Sequence, residues 1–329
     1  MSFVTHKEKI SDYLGMARKY IGTNDFVNFM KNISIAEYLS ENDRESLEET
    51  LFLLAEGFYK FGKYKEAYEV VNRILTLVEN EKTRYRLLRT KGMILGKMGN
   101  LDAAIKIFEK LLENCSSEGW SLNNLAWIYL YKYQLESDTE YLPKVIQYGL
   151  KAVESFDFIT DPVLKKSILI NLGNAYWYCE NYEKALEFFL KALEFVKDDP
   201  DPKILNNIGV TYARMRKIDK AEKYLRKAEL IAERKKDYFE LGQANLIRAR
   251  IYEWNYNDYM KAKEYFLIAF DKFVLANALL EAYKSLKNIL RLNEKLNRES
   301  IDILCNRLKT NLIENLGEEE TLRLERRED

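Results

Sequence analysis

Apolar residues recur every three or four positions along most of the chain, in paired segments separated by short polar turns, which predicts amphipathic helices joined as hairpins. The clearest stretch is residues 169–192, LINLGNAYWYCENYEKALEFFLKA. Leu169, Leu172, Gly173 and Tyr176 share one face of a first helix, and Ala185, Phe189 and Ala192 share one face of a second. Asn181 lies between them and suits a turn. Gly173 and Ala185 fall where the two helices cross, because small side chains let backbones approach. Tyr176 and Phe189 fill the volume beside that crossing.

The pattern repeats in both directions. Residues 6–42 predict two helices around Asn24-Asp25, a turn or N-cap. Residues 48–80 and 85–115 each give a hairpin, with Gly62 and Gly99 where the first helix ends and positive φ is useful. Residues 119–154 stretch the period, and the extra residues around 133–141 predict a longer inter-helix loop. Asp198-Asp199-Pro200-Asp201-Pro202 end the 166–199 unit with a rigid break, and units at 203–235 and 239–273 follow, the last with one extra turn residue. The small anchors Ala17, Ala55, Gly92, Ala126, Gly173, Gly209 and Ala249 count seven hairpins. Helices are expected at 276–296 and 299–316, then a charged tail at 318–329.

Written as spacings, 169–192 reads L-x2-L-G-x2-Y-x8-A-x3-F-x2-A. It resembles the tetratricopeptide repeat, a helix–turn–helix unit of about 34 residues. The resemblance implies an all-α fold, a right-handed α-α superhelix (solenoid) of about seven hairpins plus C-terminal capping helices. The domain reading is one solenoid over 1–317, with 1–42 as a degenerate first repeat or cap, 48–273 as regular repeats and 276–317 as the C-terminal cap. More weakly, the array resembles the helical-repeat part of the intracellular peptide-pheromone receptors of Gram-positive bacteria. Residues 1–42 are too short for the DNA-binding domain that often precedes those repeats, so direct nucleic-acid binding is not expected.

Composition narrows the chemistry. The 329 residues carry 52 basic and 52 acidic side chains, so no global field draws in nucleic acid or an anionic membrane. No run of about 18 apolar residues predicts a membrane span, and the first residues lack the apolar core of a signal peptide. Cys115, Cys179 and Cys305 are scattered, which fits a reducing compartment, and a cytoplasmic location is expected. His6 is the sole histidine, and no nucleophile–base, metal-spaced or phosphate-cradling motif is present. The expectation is therefore a non-catalytic protein with no cofactor and no metal.

The function implied by the resemblance is a scaffold that docks an extended peptide segment in a concave groove lined by the first helices. The alternatives are an intracellular peptide-sensing regulator and a structural subunit of a larger assembly. Partners are a protein or peptide, a homodimer included. Asn124, Asn171 and Asn207 each stand two residues before an anchor, and Asn174 lies one turn beyond Asn171. In tetratricopeptide proteins that bind peptides these positions face the groove, and an amide can pair with both N–H and C=O of a backbone. Arg86, Arg89, Lys203, Arg214 and Arg250 are the candidates for an acidic group or C-terminus, and Trp127 for an aromatic floor.

Overall fold

The structure is a computed structural model that describes residues 6–114 and 119–295. Of these, 85% are helical, and no strand occurs among them. The helices pair in chain order: α1 (His6–Gly22) with α2 (Phe26–Ser40), α3 (Arg44–Lys60) with α4 (Tyr64–Leu77), and α5 (Glu81–Lys97) with α6 (Leu101–Asn114). Next come α7 (Gly119–Glu136) with α8 (Tyr141–Glu154), α9 (Pro162–Tyr178) with α10 (Tyr182–Glu194), and α11 (Pro202–Arg214) with α12 (Ile218–Lys235). The described part ends with α13 (Tyr238–Tyr256), α14 (Tyr259–Leu275) and α15 (Leu279–Lys295). The chain divides into two compact units, Met1–Ile128 and Tyr129–Asp329, with the boundary inside α7.

One local device closes the hairpins. Asn24, Gly62, Gly99, Ser137, Glu180, Arg216 and Asn257 all take positive φ, each just past the end of a first helix. In five of these turns the amide five residues on bonds back to the helix: Asp25 to Tyr20, Lys63 to Phe58, Asn100 to Leu95, Asn181 to Tyr176 and Lys217 to Tyr212. This is a left-handed C-terminal cap that satisfies the last carbonyls. The α13–α14 turn carries the expected extra residue, so Asp258 reaches Tyr252 across six positions. Three second helices restart on side-chain caps, Asp25 accepting from the Asn28 amide, Asn181 from the Lys184 amide and Asp258 from the Lys261 amide, whereas α4, α8 and α12 have no such bond.

Within the first unit each helix packs on the next, and α1 also touches α3. Ala17, Phe29, Ala36, Leu51, Ala67, Val71 and Ile74 are buried. The Phe29 ring lies where a Gly57 side chain would stand, and Phe108 does the same at Gly92. Within the second unit the pairing continues from α8 to α15. Ala185, Ala221 and Ala262 are fully buried at the crossings, as expected of small anchors. At Gly173 a Cβ would come within 2.4 Å of Phe189.

Beside each crossing of this second unit lies a repeated stack. Tyr129 stacks on Tyr148, Tyr176 on Phe188, Tyr212 on Tyr224 and Tyr252 on Tyr265, with centroids 5.3–5.8 Å apart. A lysine one turn earlier on the second helix, Lys144, Lys184, Lys220 or Lys261, lies over the first tyrosine at 4.9–5.6 Å. Each stack ties a first helix to its second by dispersion and a cation–π contact.

The expected long loop at 133–141 is corrected: α7 continues to Glu136, and only residues 137–140 connect it to α8. The extra residues lengthen a helix because residues 131–136, YKYQLE, contain no glycine or proline to stop it. The expected helix at 299–316, the tail at 318–329, Cys115 and Cys305 lie outside the described residues.

Candidate functional site

A cleft opens in each unit. That of the second unit, about 350 Å³, is walled by the first helices of three successive hairpins. From α9 come Asn174, Trp177 and Tyr178; from α11 Lys203, Asn206, Asn207 and Val210; from α13 Phe239, Glu240, Gln243, Leu246, Ile247 and Arg250. The spacings of three and four put each set on one helix face. Gln134 of α7 and Phe189 of α10 complete the wall.

At one end, Asn206 and Glu240 are buried together. The Asn206 amide nitrogen donates to the Glu240 carboxylate at 2.9 Å and to its backbone carbonyl at 3.0 Å, while Asn206 Oδ1 has no donor. Burial pushes the Glu240 carboxyl above the usual range, against the opposing pull of the Asn206 bond and the Lys203 charge. In the middle, Asn207 donates to Asn174 at 3.4 Å, a long contact between α11 and α9.

The other end is aromatic and cationic. Arg250 lies over Trp254 at 5.6 Å. Arg214, the last residue of α11, lies over Trp254 at 5.2 Å, Trp177 at 5.6 Å and Tyr182 at 5.8 Å, and its Nε–H donates to the Tyr182 hydroxyl at 3.2 Å. Burial, then the neighbouring Arg214 charge, lowers the pKa of Arg250. The Trp177 indole N–H is buried without an acceptor.

The expected site residues are therefore divided. Asn174, Asn207, Lys203 and Arg250 line this cleft, and Arg214 packs against its wall. Asn171 is half-buried on α9 outside the lining. Arg86 and Arg89 line the first unit's cleft, about 370 Å³, with Arg18, Glu49, Phe52 and Tyr59. Arg86 lies over Phe52, Arg89 over Trp120, and Arg18 pairs with Glu49 at 2.9 Å. Trp127 packs against Gly96 under Lys97, and Asn124 is buried with its amide nitrogen lacking an acceptor. Sequence reasoning passed over Asn206, Glu240 and Tyr182. Asn206 and Glu240 stand 34 residues apart, close to the repeat length, and that offset is the signal that pairs them.

Among the described residues no group of three or more His, Cys, Asp or Glu side chains is placed to hold a metal, and no helix is long and apolar enough to cross a membrane.

Residues 85–117 and 166–234 match family models of the tetratricopeptide repeat. The chain carries tetratricopeptide repeats. A TPR repeat-containing protein of Methanocaldococcus jannaschii, MJ1428, is 25% identical over 191 residues, which is 49% of this chain and 33% of that protein. The chain thus spans about a third of that relative. Among solved structures, the apo form of the quorum sensor NprR from B. thuringiensis superposes with a TM-score of 0.66 at 14% identity, covering 93% of this chain and 86% of that one. A signal-transduction ATPase with a tetratricopeptide repeat sensor from Pyrococcus horikoshii gives 0.60 at 20% identity, covering 94% of this chain and 47% of that one. At these identities the two structures speak for the repeat fold alone.

Proposed function

We propose that the protein is a non-catalytic scaffold whose second unit docks an extended peptide segment along the first-helix cleft. The observation that carries this reading is the pair Asn174 and Asn207, both lining the cleft and joined only by a 3.4 Å contact. So long a hydrogen bond is weak and readily exchanged for the N–H and C=O of a ligand backbone. The cleft volume falls in the range of ligand sites, roughly 300–1,000 Å³. Panning a random dodecapeptide library against the purified protein tests the reading. Selected peptides should bind Asn174→Ala and Asn207→Ala about fivefold more weakly, the loss of one net hydrogen bond, with unchanged melting temperature. Peptides that bind both variants as tightly as the parent would overturn it.

A second reading, a peptide-sensing regulator, draws on the likeness to a quorum sensor over 93% of this chain. Native mass spectrometry separates the two: a short peptide retained through purification favours the sensor, a protein partner the scaffold.

A further inference from the structure

Two buried carboxylates on α13 are treated in opposite ways. Glu253, 6% exposed, is met by two bonds from Arg291, at 2.6 and 2.8 Å. Glu240, 8% exposed, has no such partner among the described residues. Lys203 is exposed and close enough for its charge to act on Glu240, yet the two form no ion pair. Asp237-Tyr238-Phe239-Glu240 has the spacing of a capping box, in which the glutamate bonds back to the amide of the cap residue. Here that amide is spent on the Ala232 carbonyl, at 2.8 Å, and the Glu240 side chain turns to Asn206 of α11 instead.

The bond to Asn206 ties α11 to α13, but a glutamine at 240 would tie them as well without a buried charge. One neutral donor does not balance that charge. The bond also spends the Asn206 amide nitrogen and leaves Oδ1, on a side chain 3% exposed, with no donor. The surplus is therefore of acceptors, for a carboxylate offers about four lone-pair sites and only Asn206 uses them. Asp237 and Asp201 add negative charge around Glu240 against the opposing charge of Lys203, and Asp201 is itself held by Lys166 at 2.9 Å. A group that brought both donors and a positive charge would answer all of these at once.

We propose that Glu240 and Asn206 form a subsite for an ammonium group of the docked peptide, a lysine side chain or a free N-terminus. This rests on the cleft being the peptide site; Glu240 and Asn206 line it together with Asn174 and Asn207. An ammonium carries three donors on one compact charge, which suits a carboxylate and an amide oxygen that have acceptor sites to spare. Phe239 and Val210 of the same lining give apolar surface for the stem of a lysine. Burial raises the Glu240 carboxyl in the unliganded protein, and the ammonium favours its ionised form. Binding therefore draws a proton off Glu240, and affinity rises with pH until that group is ionised without the ligand.

The test uses the full-length protein and a panel of decapeptides in which lysine or norleucine stands at each position in turn, with the N-terminus free or acetylated. Norleucine keeps the stem of lysine and lacks only the ammonium. A peptide with its ammonium in the right place should bind about tenfold more tightly than its norleucine or acetylated counterpart, the scale of a charge-assisted bond. That advantage should grow as pH rises from the ordinary carboxylate range toward neutrality. Glu240→Gln should abolish both the preference and its pH dependence, and a melting temperature at or above that of the parent shows that the fold is kept. Asn206→Ala should reduce the preference from the neighbouring helix. The lysine and N-terminal series show which of the two sources supplies the ammonium. Asn207-dependent binding that ignores lysine, the N-terminus and Glu240 would leave the docking reading intact and overturn the subsite. A preference that survives Glu240→Gln would place the ammonium elsewhere and also overturn it, and absence of any peptide binding would overturn both readings.

Discussion

Replacing Gly173 by alanine adds one methyl group to α9, and the outcome separates two opposed effects. Alanine is favoured over glycine inside a helix by about 1 kcal/mol. At Gly173, however, the methyl would stand 2.4 Å from Cε1, 2.7 Å from Cδ1 and 2.9 Å from Cζ of Phe189, a fully buried ring. No such approach is tolerated without shifting α9 from α10, and overpacking of this kind costs roughly 1–3 kcal/mol. The net expectation is a variant destabilised by about 0–2 kcal/mol, the difference of the two terms. Gly15 supplies the control, because a Cβ there meets nothing within 4 Å. Gly15→Ala should therefore stabilise by up to about 1 kcal/mol. The decisive background is Phe189→Val, which removes the ring. In it, Gly173→Ala should become stabilising, giving a coupling of roughly 1–3 kcal/mol between the two positions. Urea midpoints followed by circular dichroism, with hydrogen exchange at the amides of α9 and α10, read the cycle. If Gly173→Ala stabilises equally with phenylalanine or valine at 189, the close crossing is not what that glycine serves.

Glu240 sets a pH dependence. Its carboxyl is raised by burial, so between the unfolded value near 4.5 and the higher folded value the native state holds more protons than the unfolded one, and stability falls as pH rises through that window. Glu240→Gln keeps an acceptor for Asn206 and should flatten the urea midpoint across that window and raise it at neutral pH; an unchanged slope would remove Glu240 as its source. Arg248→Met strands the carboxylates of Glu222 and Glu229 and should cost roughly 3 kcal/mol, whereas a loss no larger than that of an exposed arginine would deny the network its role. Lys220→Met keeps the stem over Tyr212 but removes the charge, and a loss of about 0.5 kcal/mol is expected in chemical denaturation.

The hairpins were legible because their code is local. Small residues at Ala17, Gly92, Gly173 and Ala249 recur against large neighbours at fixed offsets, and the crossing they mark lies within one repeat. The α7 extension was not legible, since an insertion lengthens either a helix or a loop and the sequence counts residues without saying which. The tyrosine stacks were readable in principle, for a lysine stands four residues before Tyr148, Phe188, Tyr224 and Tyr265. Asn174, Asn207, Lys203 and Arg250 fell on the cleft because helix periodicity fixes a face. The meeting of Arg214 with Trp254 was not readable, since it depends on how one hairpin rotates against the next.

The left-handed turn residues bear on how the chain reaches this state. Each closes its hairpin within a few positions, and polar bridges between neighbouring hairpins span 31 residues at Arg18–Glu49, 35 at Lys166–Asp201 and 38 at Arg291–Glu253. Native contacts of this kind stay short in sequence however long the array grows, so loop-closure entropy never accumulates and folding is free to nucleate at any hairpin and spread. A ribosome need release only one further hairpin before the preceding one has the surface it packs against. The same economy makes the whole hairpin the natural unit of insertion or loss: removing the stretch between two successive left-handed turns returns every helix to its register, whereas removing a single residue inside α9 turns its cleft face away from the cleft.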